Sequence, residues 1–258
     1  VNRRLSDGKG GVTMAPNPNG PIDRDLDTLW FRNDAGDMLG TLTIYGCHPT
    51  SLSGYLVGPD YPGYLCQHVE ADTGAPALFS TGCAGDVRPW FPKQGAQGFL
   101  RPSLPELEAA GAAMALEVLT SREEAVTVFG DRLCIDHVVH RLPYTELPTE
   151  QELLTEVDSD DPRARDWSKA MLVDLEAGGL ATASPHEIQA LQLHPGFRII
   201  FLGGEVLSEI GLHIKRRLAP ATTITVAYAN GLIAYVPSAN AWPLGGYEVH
   251  GSHRYFTR

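Results

Sequence analysis

The sequence predicts an α/β fold, a layered mixed β-sheet domain flanked by helices, and three observations lead there. Short runs rich in β-branched and aromatic residues alternate along the chain with segments whose apolar residues recur at helical spacing. Clusters of Gly, Pro, Asn and Asp separate these segments. Hydrophobic residues make up 43% of the 258 positions and are spread throughout, enough for one sizeable core, so residues 1–258 are read as a single domain.

Residues 1–25 are rich in Gly, Pro, Asn and Asp and predict an irregular surface segment. Asp7-Gly8-Lys9-Gly10-Gly11 has the glycines of a phosphate-binding loop but lacks the preceding strand and following helix that such a loop needs. Residues 28–32 and 39–45 alternate apolar with polar around Asp34-Ala35-Gly36-Asp37, which predicts a hairpin whose second strand delivers His48. A short helix over 62–71 and a buried strand over 75–81 follow, the strand ending at Gly82-Cys83-Ala84-Gly85-Asp86. Ser103-Leu104-Pro105-Glu106 has capping-box spacing and opens a helix over 104–120. Residues 126–140 predict a long strand or hairpin, and 149–156 and 166–176 predict two helices. Strands at 188–193 and 197–202 flank His194-Pro195-Gly196, and the second leads through Gly203-Gly204-Glu205 into a helix ending near Leu218. A last strand over 224–229 precedes an aromatic, glycine-rich tail.

Composition excludes several classes of function. With 31 acidic against 20 basic residues the formal charge is −11, which repels phosphate backbones, so nucleic acid is not an expected partner. The longest apolar runs fall short of the roughly 18 to 20 residues that cross a bilayer, so no transmembrane segment is expected. Cys47, Cys66, Cys83 and Cys134 form no Cys-x-x-Cys pair, which argues against a zinc ribbon or a redox dithiol. They suit buried free thiols or two disulfides, and leave the compartment open. The chain opens on Val1 with no charged-then-apolar leader, as expected of a fragment or a processed chain.

Three residues with metal-binding side chains, His48, Glu205 and Tyr247, fall at strand ends or in loops. Spacing alone does not separate this trio from a hydrogen-bonded core histidine and two ordinary surface residues. Further blocks accompany it in a fixed order. They are Asn2-Arg3-Arg4, His48-Pro49-Thr50, the stretch Leu56-Val57-Gly58-Pro59-Asp60-Tyr61-Pro62-Gly63-Tyr64, the loop from Gly82 to Pro89, Gly204-Glu205, Ala229-Asn230-Gly231, Tyr235 and Gly246-Tyr247-Glu248.

Together these blocks resemble the catalytic domain of the neutral ceramidases. The resemblance implies a zinc site at strand ends, with His48, Glu205 and Tyr247 as ligands and one further histidine expected from a segment upstream of Asn2. It implies hydrolysis of an amide by metal-activated water, on a small-molecule N-acyl or lipid-like substrate. The loop Gly82 to Pro89 is similar to the family's Gly-Asp-x-Ser-Pro active-site loop, which brings Asp86 and Arg88 into the site. Arg88 stands where the family has serine, so ceramide itself is not the expected substrate. A guanidinium there favours a substrate carboxylate or phosphate, with a structural contact to Asp86 or to backbone as the alternative. Asp60 and Asp86 are expected to organise their loops by accepting backbone hydrogen bonds. His137 and His140, three apart in a strand, fall on opposite faces, while His250 and His253 are candidates to line the pocket. The resemblance covers a partial domain, with no room for the family's C-terminal β-sandwich. Two other readings stay open. A ceramidase-like binding module would keep the scaffold without catalysis, and a serine hydrolase would need a Gly-x-Ser-x-Gly elbow that the sequence lacks.

Overall fold

Apolar side chains alternate along residues 197–202. Phe197 and Ile199 go to one face, Ile200 and Leu202 to the other, so this stretch packs on both sides. That double burial sets the layering. The computed structural model describes residues 1–251 apart from 56, 94–97, 129, 131 and 145. It opens with a hairpin of β1 (Asn2–Ser6) and β2 (Val12–Asn17). This corrects the irregular segment expected over residues 1–25. Asn2, Arg3 and Arg4 are buried through hydrogen bonds and charge pairs instead of apolar contact, so β1 carries no hydrophobic alternation to read. The supposed phosphate-loop glycines form the hairpin turn, where Asp7 accepts from the backbone of Lys9 and Gly11.

Next come β3 (Leu26–Arg32) and β4 (Met38–Tyr45), antiparallel as expected; α1 (Asp60–Thr73) then carries the chain to β5 (Ala77–Thr81), parallel to β4. Helix α2 (Leu104–Ser121) starts on the expected capping box, with Ser103 and Glu106 exchanging hydrogen bonds. Strand β6 (Cys134–Pro143) begins eight residues later than the predicted stretch at 126 and is exposed over almost its whole length. After α3 (Glu150–Glu156), α4 (Pro162–Ala177) starts four residues before its predicted onset, because Asp161 caps it and Pro162 fits its first turn. Then follow β7 (Ala183–His194), β8 (Phe197–Leu202), β9 (Glu205–Val206), α5 (Ser208–Leu218), β10 (Thr222–Val226) and β11 (Tyr235–Val236).

The strands build a three-stranded sheet, β3-β4-β5, and a four-stranded sheet, β10-β8-β7-β6. Their inner faces meet in a cluster of Leu29, Leu42, Ile44, Phe197, Ile199, Ile224 and Val226. Helices α1 and α2 cover the outer face of the first sheet through Leu65, Val69, Ala115 and Val118, and α5 covers the second through Ile210, Ile214 and Leu218. Each fully buried Leu or Val contributes about 1.5 to 3 kcal/mol, so this helix–sheet–sheet–helix stack fixes the strand ends rigidly. At one end the two sheets are stitched together, Ala227 donating its N–H to Thr81. The cysteines are unpaired; Cys47 and Cys83 are buried, Cys66 is half-buried and Cys134 is exposed. Burial pushes the Cys47 and Cys83 thiols up to about 12, which leaves them unreactive. Among the described residues no helix is long and apolar enough to cross a membrane.

Candidate active site at the strand ends

Four loops leave the stitched end of the sandwich. They follow the carboxyl ends of β4, β5, β8 and β10, which is where open α/β layers place ligands. The loop after β4 carries His48, that after β5 carries Asp86 and Arg88, β9 after β8 carries Glu205, and the turn after β10 carries Tyr228.

His48 is held twice by one carbonyl. Its backbone N–H and its Nδ1 both meet the Val87 oxygen, at 3.0 and 2.9 Å. A carbonyl only accepts, so Nδ1 carries a proton and Nε2 is the nitrogen turned toward the site. Nε2 meets Glu205 Oε2 at 2.8 Å, with the Tyr228 hydroxyl 2.8 Å from Nε2 and 3.2 Å from the carboxylate. Gly204 turns the chain to aim Glu205. It lies at φ 79°, and a Cβ there would stand 2.7 Å from the Ala234 oxygen, so only glycine fits.

Tyr235 lies directly opposite Glu205 in the parallel pair β9–β11, and the Glu205 N–H donates to Ala234 at 2.7 Å. Burial alone would raise the Glu205 carboxyl, but hydrogen bonds from His48, Tyr235 and Tyr228 outweigh it and hold it below the usual range. Burial beside that carboxylate pushes the Tyr228 phenol well up, and burial does the same to Tyr235, so both hydroxyls stay protonated. The Tyr235 ring stands 6.3 Å from the His48 ring and 5.6 Å from that of Tyr247. Tyr247 is therefore one ring further out and 44% exposed, with Arg3 5.5 Å from its centre.

Asp86 is buried, its two oxygens accepting from Asn2 Nδ2 and the Ser208 N–H, both at 2.8 Å. Burial raises its carboxyl despite those bonds. It ties β1, the β5 loop and α5 together, while Asp60 does the same locally for Ser51, Leu52 and Tyr61. With Asp86 committed to these partners, Arg88 takes the backbone alternative. Its Nη2 donates to Thr50 at 3.1 Å and its guanidinium lies 4.5 Å over the Phe99 ring. Glu248 is buried between Arg3 at 2.7 Å and Arg4 at 2.5 Å, which joins two sequence blocks from opposite ends of the chain. His137 pairs with Glu187 on the exposed ribbon, and His250 packs on Trp242. His253 and Leu56 lie outside the described residues.

The sequence reading brought His48 and Glu205 to one place but overlooked Tyr228. No spacing signal marks it, because a turn at φ 59° aims it. Among the described residues no group of three or more His, Cys, Asp or Glu side chains is arranged to hold a metal ion. The donor chemistry nonetheless suits one. His48 Nε2 and Glu205 Oε2, an imidazole nitrogen and a carboxylate oxygen 2.8 Å apart, are of the types zinc takes as ligands, and the Nδ1–H to Val87 contact is the outer-shell bond typical of a ligating histidine.

No protein-family model matches the chain, and no curated protein does. Among solved structures the chain is similar to a crystal structure of neutral ceramidase from Pseudomonas aeruginosa, with a TM-score of 0.61 and 20% identity over 90% of this chain and 44% of that one. It is similar as well to a ceramidase complexed with C2, with a TM-score of 0.60 and 19% identity over 93% of this chain and 47% of the other. The fold is that of a partial ceramidase-like domain, and the chain spans less than half the length of these two proteins.

Proposed function

We propose that this partial ceramidase-like domain belongs to a zinc-dependent hydrolase that cleaves an N-acyl amide bond. One observation carries the reading: His48 Nε2 and Glu205 Oε2, a nitrogen and an oxygen of the types zinc takes, meet at 2.8 Å at the carboxyl end of the sandwich. His48 and Glu205 are the proposed metal ligands. Tyr247 is the third proposed ligand; its ring packs 5.6 Å from that of Tyr235, which pairs with Glu205 across β9–β11. Zinc bound there supplies Lewis-acid polarisation of the acyl carbonyl and a water acidified toward neutrality.

The chain's own residues do the rest. Val87 orients the His48 ring, and Asp86 positions the loop that carries Val87. The buried Tyr228 and Tyr235 hydroxyls remain donors for an oxygen that gains negative charge. Arg88 is the proposed substrate anchor at the rim, one residue beyond the carbonyl that holds His48.

Elemental analysis of the zinc-loaded, desalted chain tests this. About one zinc per chain is expected, lost in both His48→Ala and Glu205→Ala. Equal zinc in the wild type and both variants, or none in any, overturns the metal reading and moves the interpretation to a binding module on the same scaffold.

A further inference from the structure

Several charged groups around the strand ends have a charged partner among the described residues. Glu248 answers Arg3 and Arg4, Glu205 meets His48 and two phenols, and Lys215 is shared by Asp23, Asp25 and Asp27. Arg88 is half-buried and belongs to none of the ion pairs among the described residues. Among the described residues its Nε is buried with no hydrogen-bond partner, and its guanidinium's one acceptor is the Thr50 carbonyl. A cation partly withdrawn from water without a carboxylate loses solvation that no described residue restores.

The guanidinium is nonetheless held in place. Phe99 supports one face at 4.5 Å, the favourable stacking geometry for arginine, and Thr50 fixes Nη2 from the side. The same segments hold the candidate catalytic histidine: Val87, preceding Arg88, binds His48, and the Thr50 N–H donates to the His48 carbonyl. The positioned guanidinium and the candidate catalytic histidine are thus held by one connected set of segments. Burial, and then the nearby Arg3, lower the Arg88 pKa, as expected for two cations with no anion between them.

We infer that Arg88 is an anion-recognition residue, and that the substrate is an acyl amide bearing a carboxylate close to the scissile bond. The inference rests on the hydrolase reading for the word substrate, but not for the binding site. A planar carboxylate matches the two-pronged donor geometry of a guanidinium, which a lone hydroxyl does not.

Isothermal titration of the metal-stripped chain, in EDTA, with hexanoylglycine and with its neutral counterpart hexanoylethanolamine separates the two ideas. The wild type is expected to bind the acid on the order of tenfold more tightly, a preference that weakens with salt. Arg88→Ser is expected to abolish the preference, and Arg88→Lys, which keeps the charge and loses the fork, to retain a smaller one. Equal affinities in the wild type, no binding of the acid, or a preference unchanged in both variants overturns the inference. Acid preference without zinc-dependent turnover of the acid leaves this site standing and sinks the hydrolase reading; turnover without preference does the reverse.

Discussion

Two carboxylates, the buried Glu248 and the half-buried Glu205, serve different ends. Glu248 lies between two guanidiniums, 97% of its side chain is withdrawn from solvent, and each oxygen has a charged donor at 2.7 Å or less. Glu205 is more open, and its partners are an imidazole and two phenol hydroxyls. The first is a completed pair, which a fold uses to clamp its ends together. The second has no guanidinium or ammonium beside it, and the proposed reading gives it a cation. Whether a buried charge finds its counterpart inside the chain separates a structural carboxylate from a functional one.

The largest test of that contrast is a pair of substitutions. Glu248→Ala leaves two arginines buried without a partner and is expected to cost about 3 to 5 kcal/mol in chemical denaturation, whereas Glu205→Ala is expected to cost less than about 1.5 kcal/mol. Equal losses would erase the distinction. Asp86→Asn sharpens it, because Asp86 is fully satisfied yet uncharged donors supply its bonds. A loss of about 1.5 to 3 kcal/mol is expected for bonds to a charged acceptor, with the His48 imidazole NMR signals shifting as the Val87 loop loosens. Unmoved signals would mean that Asp86 does not position that loop.

The smallest effect lies far from the site and depends on pH. Hydrogen bonds from the Ser103 backbone and hydroxyl hold the exposed Glu106 carboxyl at about 2, below its ordinary 4.5. A depressed folded-state value stabilises the helix cap above the unfolded value and loses that contribution as pH falls through the folded one. Acid titration of the wild type against Glu106→Gln should therefore diverge above pH 4.5 and converge toward pH 2. Parallel curves would place the capping box outside the stability balance.

Much of the fold was legible in residue order. The β3–β4 hairpin follows from alternation around Asp34-Ala35-Gly36-Asp37, and α2 from Ser103 and Glu106 at capping distance, both local signals. β1 was not legible, because Asn2, Arg3 and Arg4 are buried by partners 84 to 245 positions away. In the site, His48 and Glu205 could be picked out as strand-end residues, whereas the pairing of Tyr235 with Glu205 across β9–β11 leaves no mark in sequence spacing.

The sequence by itself determined the helix caps, the turns and the strand faces, since each depends on side chains within a few residues of one another. Only the tertiary structure decided which strand ends share a side of the sandwich, how Arg3 and Arg4 meet Glu248, and how a left-handed turn at Tyr228 brings its hydroxyl to His48. Those contacts span most of the chain, and their partners are selected by packing and charge in three dimensions, which no local pattern encodes.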